Sequence, residues 1–508
     1  MNGPGRPHRE HGRAPHAESP VRAARVRLTD VSLTDGQSAV WAGAMTTPMV
    51  GAVVQQLAAA RPAALEVCSP STLRQCVARG EDPWQRLDII RQRCPQTSLR
   101  AVVALLTDHG RRGADLIATD VAVQWMRELA LRGVAEVLFI DPLLDTRRLA
   151  PLLAQATTLG LLPIVALPFF EDAALSNEAL CARAAALAAC GAARVMLRDE
   201  SGVLTPDRLA SLLPALQQAL PSTPLDLHLG CQTALAPLLA LEAMRLGIDG
   251  LDTAFAPLAN GASVPALGTL VRSARLLALA GVDDTRLPAV DAASRALATL
   301  AQRHGLPEAL PWAFSLTPYI HQLPGALAAE FMERLDGCNP RSKLNEFAQE
   351  CARIRDEFGS PPMLEPFARP IAQQAWLHVN GMLRYAELQP GLRRVAQQIY
   401  GPTPGPVDKQ LARRVGRLPQ QRPRSLQALR AQYPGASDSA LVLAQICGVA
   451  SDRLPAPAAP DAVAYVATTP TDALIAGLSA RALRFAELNV VGPQFSVRLR
   501  GGAGAQHV

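Results

Sequence analysis

Between His109 and His304 the chain carries one histidine, His228, in the run Leu227-His228-Leu229-Gly230-Cys231-Gln232. An imidazole can hold a metal, carry a proton or sit hydrogen-bonded in a core, and its neighbours in space decide which. The residues that could meet it are Asp35 in Thr34-Asp35-Gly36-Gln37, the triplet Arg198-Asp199-Glu200, Asp252-Thr253, and Asn260-Gly261-Ala262-Ser263. Asp35 and His228 are both of metal-ligating type, and a catalytic metal normally has at least three protein ligands. Asp199, Glu200 or Cys231 would have to supply the third, with convergent geometry as well as suitable atoms. The favoured reading is instead a salt bridge from Arg198 to Asp35, a fixed cation where a metal's charge would stand, with Arg198 also available to an anion. His228 then reads as a hydrogen-bonded core histidine and Cys231 as a small buried hydrophobe. Asp141 and Asp145 read as a helix-start cap and an acidic first turn beside Arg147.

The lysine count limits the chemistry further. Lys343 and Lys409 are the only lysines in 508 residues. A P-loop, a Schiff base or a carbamylated lysine is therefore excluded from the first three hundred positions.

These residues need elements to position them. Short apolar runs at Val26–Leu33, Ala64–Val67, Leu99–Leu106, Glu136–Ile140, Leu162–Phe169, Arg194–Leu197, Leu225–Leu229 and Gly250–Phe255 have the continuous hydrophobicity of strands buried on both faces. Amphipathic stretches separate them. In Thr205–Leu220, Thr205 stands at the N-cap and Pro206 at the first helical position, while Leu209, Leu212, Leu213, Leu216 and Leu220 form one stripe. Pro214 within it predicts a kink. Eight strands alternating with helices over about 250 residues is the count of a (β/α)8 barrel, whose functional residues lie at the C-terminal strand ends. Each candidate above falls at such an end or in the loop after it.

After about Ala280 the strand pattern stops. The expected organisation is a tail at 1–25, a barrel at 26–283, a helical domain at 284–430, and at 431–508 a helical extension, a Pro/Ala-rich linker (Leu454–Pro460) and a hairpin turning at Gly492-Pro493. The final Gly501-Gly502-Ala503-Gly504-Ala505 opens no helix and is no dinucleotide motif. Hydrophobic residues at 49% and charged residues at 19% support a large core. The net charge is +6, half of it from five arginines against two glutamates in the first 25 residues, so the body is not a nucleic-acid binder by charge. Nine cysteines without a CxxC argue against a structural zinc or a disulfide framework. The longest uncharged run, Leu149–Phe170, contains three prolines and reads as helix end, turn and strand, not a membrane span. The expected location is cytoplasmic.

Several short motifs, in register from about Arg25 to about Leu443, resemble the carboxyltransferase of the biotin-dependent family that includes pyruvate carboxylase, the oxaloacetate decarboxylase α subunit and transcarboxylase. They are Glu81-Asp82-Pro83-Trp84, Asp199 with Gly202 and Leu204-Thr205-Pro206, Gly247-Ile248-Asp249-Gly250-Leu251-Asp252-Thr253-Ala254, Gln322-Leu323-Pro324-Gly325, Gly359-Ser360-Pro361-Pro362, and Tyr400-Gly401-Pro402-Thr403-Pro404-Gly405-Pro406-Val407. The resemblance implies an α/β fold, a (β/α)8 TIM barrel followed by a mostly helical carboxyltransferase C-terminal domain. It implies a divalent metal held by an aspartate after strand one, a carbamylated lysine on strand six and two histidines on strand seven.

Matched position by position, Asp35 and the first histidine, His228, are kept. Arg198 stands at the lysine, Gly230 at the second histidine, and Ala262 at the threonine that shuttles a proton. The carboxylate-clamping arginine matches Leu138, the turn after strand three is Leu105-Leu106-Thr107-Asp108, and the arginine before the first aspartate is Thr34. A guanidinium cannot be carbamylated and offers no lone pair to a cation. Neither lysine lies between methionines as a biotin carrier's does, so biotin would arrive only on a partner. The expected reading is a non-catalytic or regulatory subunit, in a homo-oligomer or with a carboxyltransferase paralogue or biotinyl carrier, and with the metal lost. The alternatives are an active carboxyltransferase moving carboxyl between a separate biotinyl carrier and pyruvate or oxaloacetate, and a metal-dependent lyase or aldol-type enzyme on the same barrel.

Overall fold

A computed structural model describes residues 25–108, 114–172, 175–279, 281–335, 340–415, 423–465, 487–492 and 495–500. The expectations for the N-terminal tail up to residue 24 and for the last eight residues lie outside these. Eight parallel strands close a barrel: β1 (Arg27–Asp30), β2 (Leu65–Cys68), β3 (Leu99–Ala104), β4 (Glu136–Ile140), β5 (Leu162–Pro168), β6 (Arg194–Asp199), β7 (Leu225–Leu229) and β8 (Gly250–Thr253). Each strand pairs with its neighbours in sequence, and β8 pairs with β1, Arg27 opposite Gly250 and Thr29 opposite Asp252. Every strand is buried on both faces, which is why the runs read as continuously apolar.

Inside the barrel, side chains alternate with the period of two that a pleated strand imposes. Val102, Leu138, Ile164, Ala166 and Met196 form an apolar cluster on one side of the interior. Odd-numbered neighbours such as Val103, Val137, Val165 and Leu197 instead join the larger core under the outer helices. The helix after β6 runs Pro206–Ala219 with Thr205 accepting from the Arg208 N–H, and it continues through Pro214. Asp145 likewise caps Thr146–Thr158.

Helical structure follows the barrel. Helix Leu287–His304 buries Val290, Ala293, Leu297 and Leu300 in the barrel's own core, beside the helix Thr47–Ala59. Leu426, Leu429, Leu441, Val442 and Ile446, from helices Leu426–Gln432 and Asp438–Cys447, join that core too. A second core joins residues from Leu323 to Leu411, among them Phe331, Phe347, Phe358 and Phe367, with Leu106 and Ala114 from the segment after β3 of the barrel. The amphipathic pattern shows that a helix has an apolar face but not which core receives it.

Two proline-rich motifs meet inside this domain: the Gly405 N–H donates to Gly359 O at 2.9 Å. Gly359 has φ +81°, and a Cβ there would stand 2.4 Å from Gly405 O, so both its backbone and its surroundings require glycine. Strands Glu487–Gly492 and Phe495–Arg500 pair antiparallel, and Pro493 of the expected turn lies outside the described residues. No helix among the described residues is long and apolar enough to cross a membrane.

Candidate functional site

At the C-terminal mouth of the barrel lies a cavity of about 230 Å³. Its walls include Asp35, Glu66, Arg74, Arg198, Glu200, His228, Ala262 and Ser263 from the barrel, and Pro324, Gly325, Glu365 and Arg369 from the helical domain. Asp35 sits in a five-residue π-turn, Ser32–Gly36, that follows β1; such turns re-aim side chains and are frequent at functional sites. Arg198, His228 and Asp252 stand side by side because β6, β7 and β8 place them in adjoining registers facing inward.

The polar residues of the interior form a continuous chain. Thr34 Oγ1 donates to Glu66 Oε1 at 2.5 Å, and Arg100 Nε donates to Glu66 Oε2 at 2.8 Å. Arg100 reaches across the barrel to Asp252 Oδ1 at 2.8 Å. Asp252 Oδ2 lies 3.0 Å from His228 Nδ1, which lies 3.3 Å from a terminal nitrogen of Arg198. Arg198 Nε donates to Glu200 Oε1 at 2.6 Å. One ring nitrogen cannot donate to Asp252 and accept from Arg198 at once. Burial would raise the Asp252 carboxyl, but Arg100 and then His228 hold it below the ordinary carboxylate range. Asp252 is thus an ionised acceptor and Nδ1 carries the proton, leaving Nε2 for the cavity that His228 lines.

The ion pair expected between Arg198 and Asp35 is not formed. Arg198 pairs with Glu200, two residues along its own chain, and Asp35 Oδ2 accepts from Ser263 Oγ at 2.6 Å. Glu200 is nearer by connectivity, and the short Asp35 side chain meets the hydroxyl of the loop after β8. Burial raises the Asp35 carboxyl above its usual range, opposed by His228, the Ser263 hydrogen bond and Arg198. Arg198 thus acts on Asp35 through space only.

The remaining candidates are structural. Asp199 accepts from the Val203 and Leu204 N–H groups and is pushed up to about 6 by burial. Asp141 takes a two-pronged pair from Arg148 and accepts from Leu143 and Asp145 N–H, while Arg147 is exposed. Cys231 is buried, and burial pushes its thiol up. Leu138 lies in the apolar inner wall. Gly230 is closed in: a Cβ there would stand 2.8 Å from Glu200 O and 2.3 Å from Gln232 Oε1.

A divalent cation does not fit this set. Among the described residues no three His, Cys, Asp or Glu side chains group as metal ligands, and a guanidinium stands in hydrogen-bond range of His228. No step is derived through a metal.

The helical domain is seated on the mouth by Gln322-Leu323-Pro324-Gly325. Gln322 exchanges side-chain hydrogen bonds with the Glu171 backbone, at 2.9 Å from its N–H and 3.0 Å to its carbonyl. Gln232 Nε2 donates to Glu200 O at 2.7 Å and Leu323 O at 3.3 Å. Gly325 approaches so closely that a Cβ would stand 1.9 Å from Ala262 O.

Comparison with known proteins agrees with this architecture. No protein-family model matches the chain. It is 24% identical over 400 residues to a pyruvate carboxylase subunit of Methanocaldococcus jannaschii, covering 77% of this chain and 68% of that one. It is 24% identical over 399 residues to the 2-oxoglutarate carboxylase large subunit of Hydrogenobacter thermophilus, covering 77% and 60%. It superposes on the carboxyl transferase domain of Rhizobium etli pyruvate carboxylase with pyruvate at a TM-score of 0.78, with 19% identity, over 95% of this chain and 84% of that one. The chain is thus similar to proteins named as subunits of pyruvate carboxylase and 2-oxoglutarate carboxylase. Its closed eight-stranded barrel matches the TIM-barrel fold of that carboxyl transferase domain. The two curated relatives are themselves named as subunits, and the chain spans 60% of the second.

The sequence reading did not reach Glu66, Arg100 and Arg74. Glu66 and Arg100 were legible as opposite charges inside otherwise apolar strands, at positions that pair in register. Arg74, on the helix Pro70–Ala78, carries no sequence signal that separates it from a surface arginine.

Proposed function

We propose that this chain is a carboxyltransferase-type subunit whose metal and proton-transfer positions have been given up, and that it serves as a non-catalytic or regulatory partner in a biotin-dependent carboxylase assembly. The observation that carries the reading is Arg198. At the position where the resemblance implies a carbamylated lysine, its guanidinium is fixed by Glu200 and packed against His228. Glu200 is held by this pair and His228 keeps only its Nε2 towards the cavity, and the methyl of Ala262 has no proton to shuttle. The motifs that seat the helical domain, by contrast, all make their contacts.

Elemental analysis of the protein, purified without a metal column, tests this together with oxaloacetate turnover in the presence of free biotin. The reading expects less than about a tenth of an equivalent of zinc or manganese and no turnover, since two remaining ligands fall short of three. About one equivalent with turnover overturns it.

An active carboxyltransferase, transferring carboxyl between a biotinyl carrier on another chain and a 2-oxo acid, is the second reading. The cavity kept at the barrel mouth, with Asp35, Glu66 and His228 in its wall, supports it, since a site kept only as scaffold has no need of one. The same turnover measurement, repeated with a biotinyl carrier protein added, separates the two.

A further inference from the structure

The helix Gly325–Leu335 contributes to two cavities. Ala326 and Leu327 line the one at the barrel mouth. Ala328 and Met332, four residues apart and so on one face of the helix, line another of about 390 Å³. Trp312 and Pro318, from the chain that leads out of the barrel, add to its wall with Gln232 and His321. Among the described residues that line it there is no charged side chain. His321 is 5% exposed, and burial lowers its imidazole to about 4, so the ring is neutral. The Leu323 N–H donates to its Nδ1 at 2.9 Å, which places the ring proton on Nε2. Nε2 finds no acceptor among the described residues, whereas the Gln232 amide nitrogen is taken by Glu200 O and Leu323 O.

A buried N–H without an acceptor carries an uncompensated desolvation cost, which a ligand oxygen offsets. We propose that this second cavity binds a neutral aromatic molecule of fused-ring size, with one hydrogen-bond acceptor taken by the His321 Nε2–H. The class follows from the wall. A cavity of about 150 Å³ holds benzene, so 390 Å³ has room for two fused rings. Trp312 offers an aromatic ring, and the Met332 thioether favours aromatic neighbours. A carboxylate or ammonium group would enter without a countercharge, at a cost that disfavours it. No residue lines both cavities, so the site is distinct from the barrel mouth. Binding there needs neither metal nor turnover, and the inference rests on neither reading of the mouth.

The test is isothermal titration of the full chain with 1-indanone, with indane as the same frame without the carbonyl, and with indane-1-carboxylate as its charged counterpart. The wild-type protein should bind 1-indanone saturably and at least about fivefold more tightly than indane, the worth of one hydrogen bond. Indane-1-carboxylate should bind more weakly than either. Hydrogen exchange should slow within 311–332 when 1-indanone binds. Ala328→Leu adds three carbons to the cavity wall and should weaken 1-indanone about tenfold or more. His321→Asn keeps an acceptor for the Leu323 N–H and removes the Nε2 donor. It should weaken 1-indanone about fivefold and leave indane unchanged. No binding of 1-indanone by the wild type, indane or the carboxylate bound as tightly, protection confined to the barrel mouth, or 1-indanone bound equally by both variants would each overturn the proposal. The ligand series and the exchange measurement use the wild type, so they decide even where a variant fails to fold.

Discussion

Glu66 and Arg100 occupy the same register on β2 and β3, and Arg100 Nε donates to Glu66 Oε2 at 2.8 Å inside the barrel. Arg100 is 1% exposed and also reaches Asp252, so one guanidinium neutralises two buried carboxylates. Replacing one member of such a set leaves unpaired charge in low dielectric, a loss of about 3–5 kcal/mol. Arg100→Met is therefore expected to lower stability by that amount in urea unfolding. A loss under about 1 kcal/mol would mean that the carboxylates find protons or water instead.

Gly230 is enclosed by backbone: a Cβ would approach Glu200 O to 2.8 Å, and Gly202 stands on its other side. Gly230→Ala should cost about 1–3 kcal/mol by overpacking. The consequence for rebuilding the site is direct. Arg198→Lys, Gly230→His and Ala262→Thr together would restore the family's ligand types, but a histidine at 230 has to displace the β6 loop first. The triple variant is expected to unfold at a lower temperature and to take up no zinc by elemental analysis. Stoichiometric zinc in a stable triple variant would contradict the packing argument.

The barrel was legible because every strand is buried on both faces, which writes itself as an apolar run, and the turns between carry the caps that end helices. Thr205 and Asp145 are caps by residue type and by geometry alike. What pairs with what was less legible. Arg198 was expected to face Asp35 across the mouth, yet Glu200, two residues further along the chain, reaches it first. Helix Leu287–His304 has an apolar face that suits either core, and only the three-dimensional path shows that it packs on the barrel's. Arg74 was invisible for a related reason: lining a cavity is a property of surroundings and not of residue type.

Asp30 ends β1 with Oδ1 accepting from Ser32 and Oδ2 buried without a partner. Burial, with Glu66 and Asp252 adding to it, raises its carboxyl from 3.8 to about 7. The folded state therefore holds a proton that the unfolded chain releases near pH 4. Its contribution is fully present below that and is lost as pH rises towards about 7. Asp30→Asn mimics the protonated acid, so its stability advantage over wild type should grow from near zero at pH 4 to at most about 4 kcal/mol above pH 7. Denaturant unfolding of both proteins at several pH values measures it, and a difference independent of pH would refute the assignment.

Gln322 holds φ +50°, a left-handed conformation unusual for a side-chain-bearing residue, and both ends of its amide bond to the Glu171 backbone. Ser201 Oγ donates to its carbonyl at 2.5 Å. Three contacts thus fix the one residue from which the chain leaves the barrel mouth for the helix Gly325–Leu335. Gln322→Ala keeps the backbone strain and removes both amide bonds, each worth about 0.5–1.5 kcal/mol net. The loss should be local to the seat of the helical domain, because the barrel's strands close on one another without it. Hydrogen exchange should accelerate within 323–335 in Gln322→Ala while β3, β4 and β5 keep wild-type protection. Gln322→Glu should be worse, since it loses the donor and turns a carboxylate oxygen towards the Glu171 carbonyl. Equal acceleration in the barrel strands would mean that the two cores unfold as one unit and that Gln322 is not the seat.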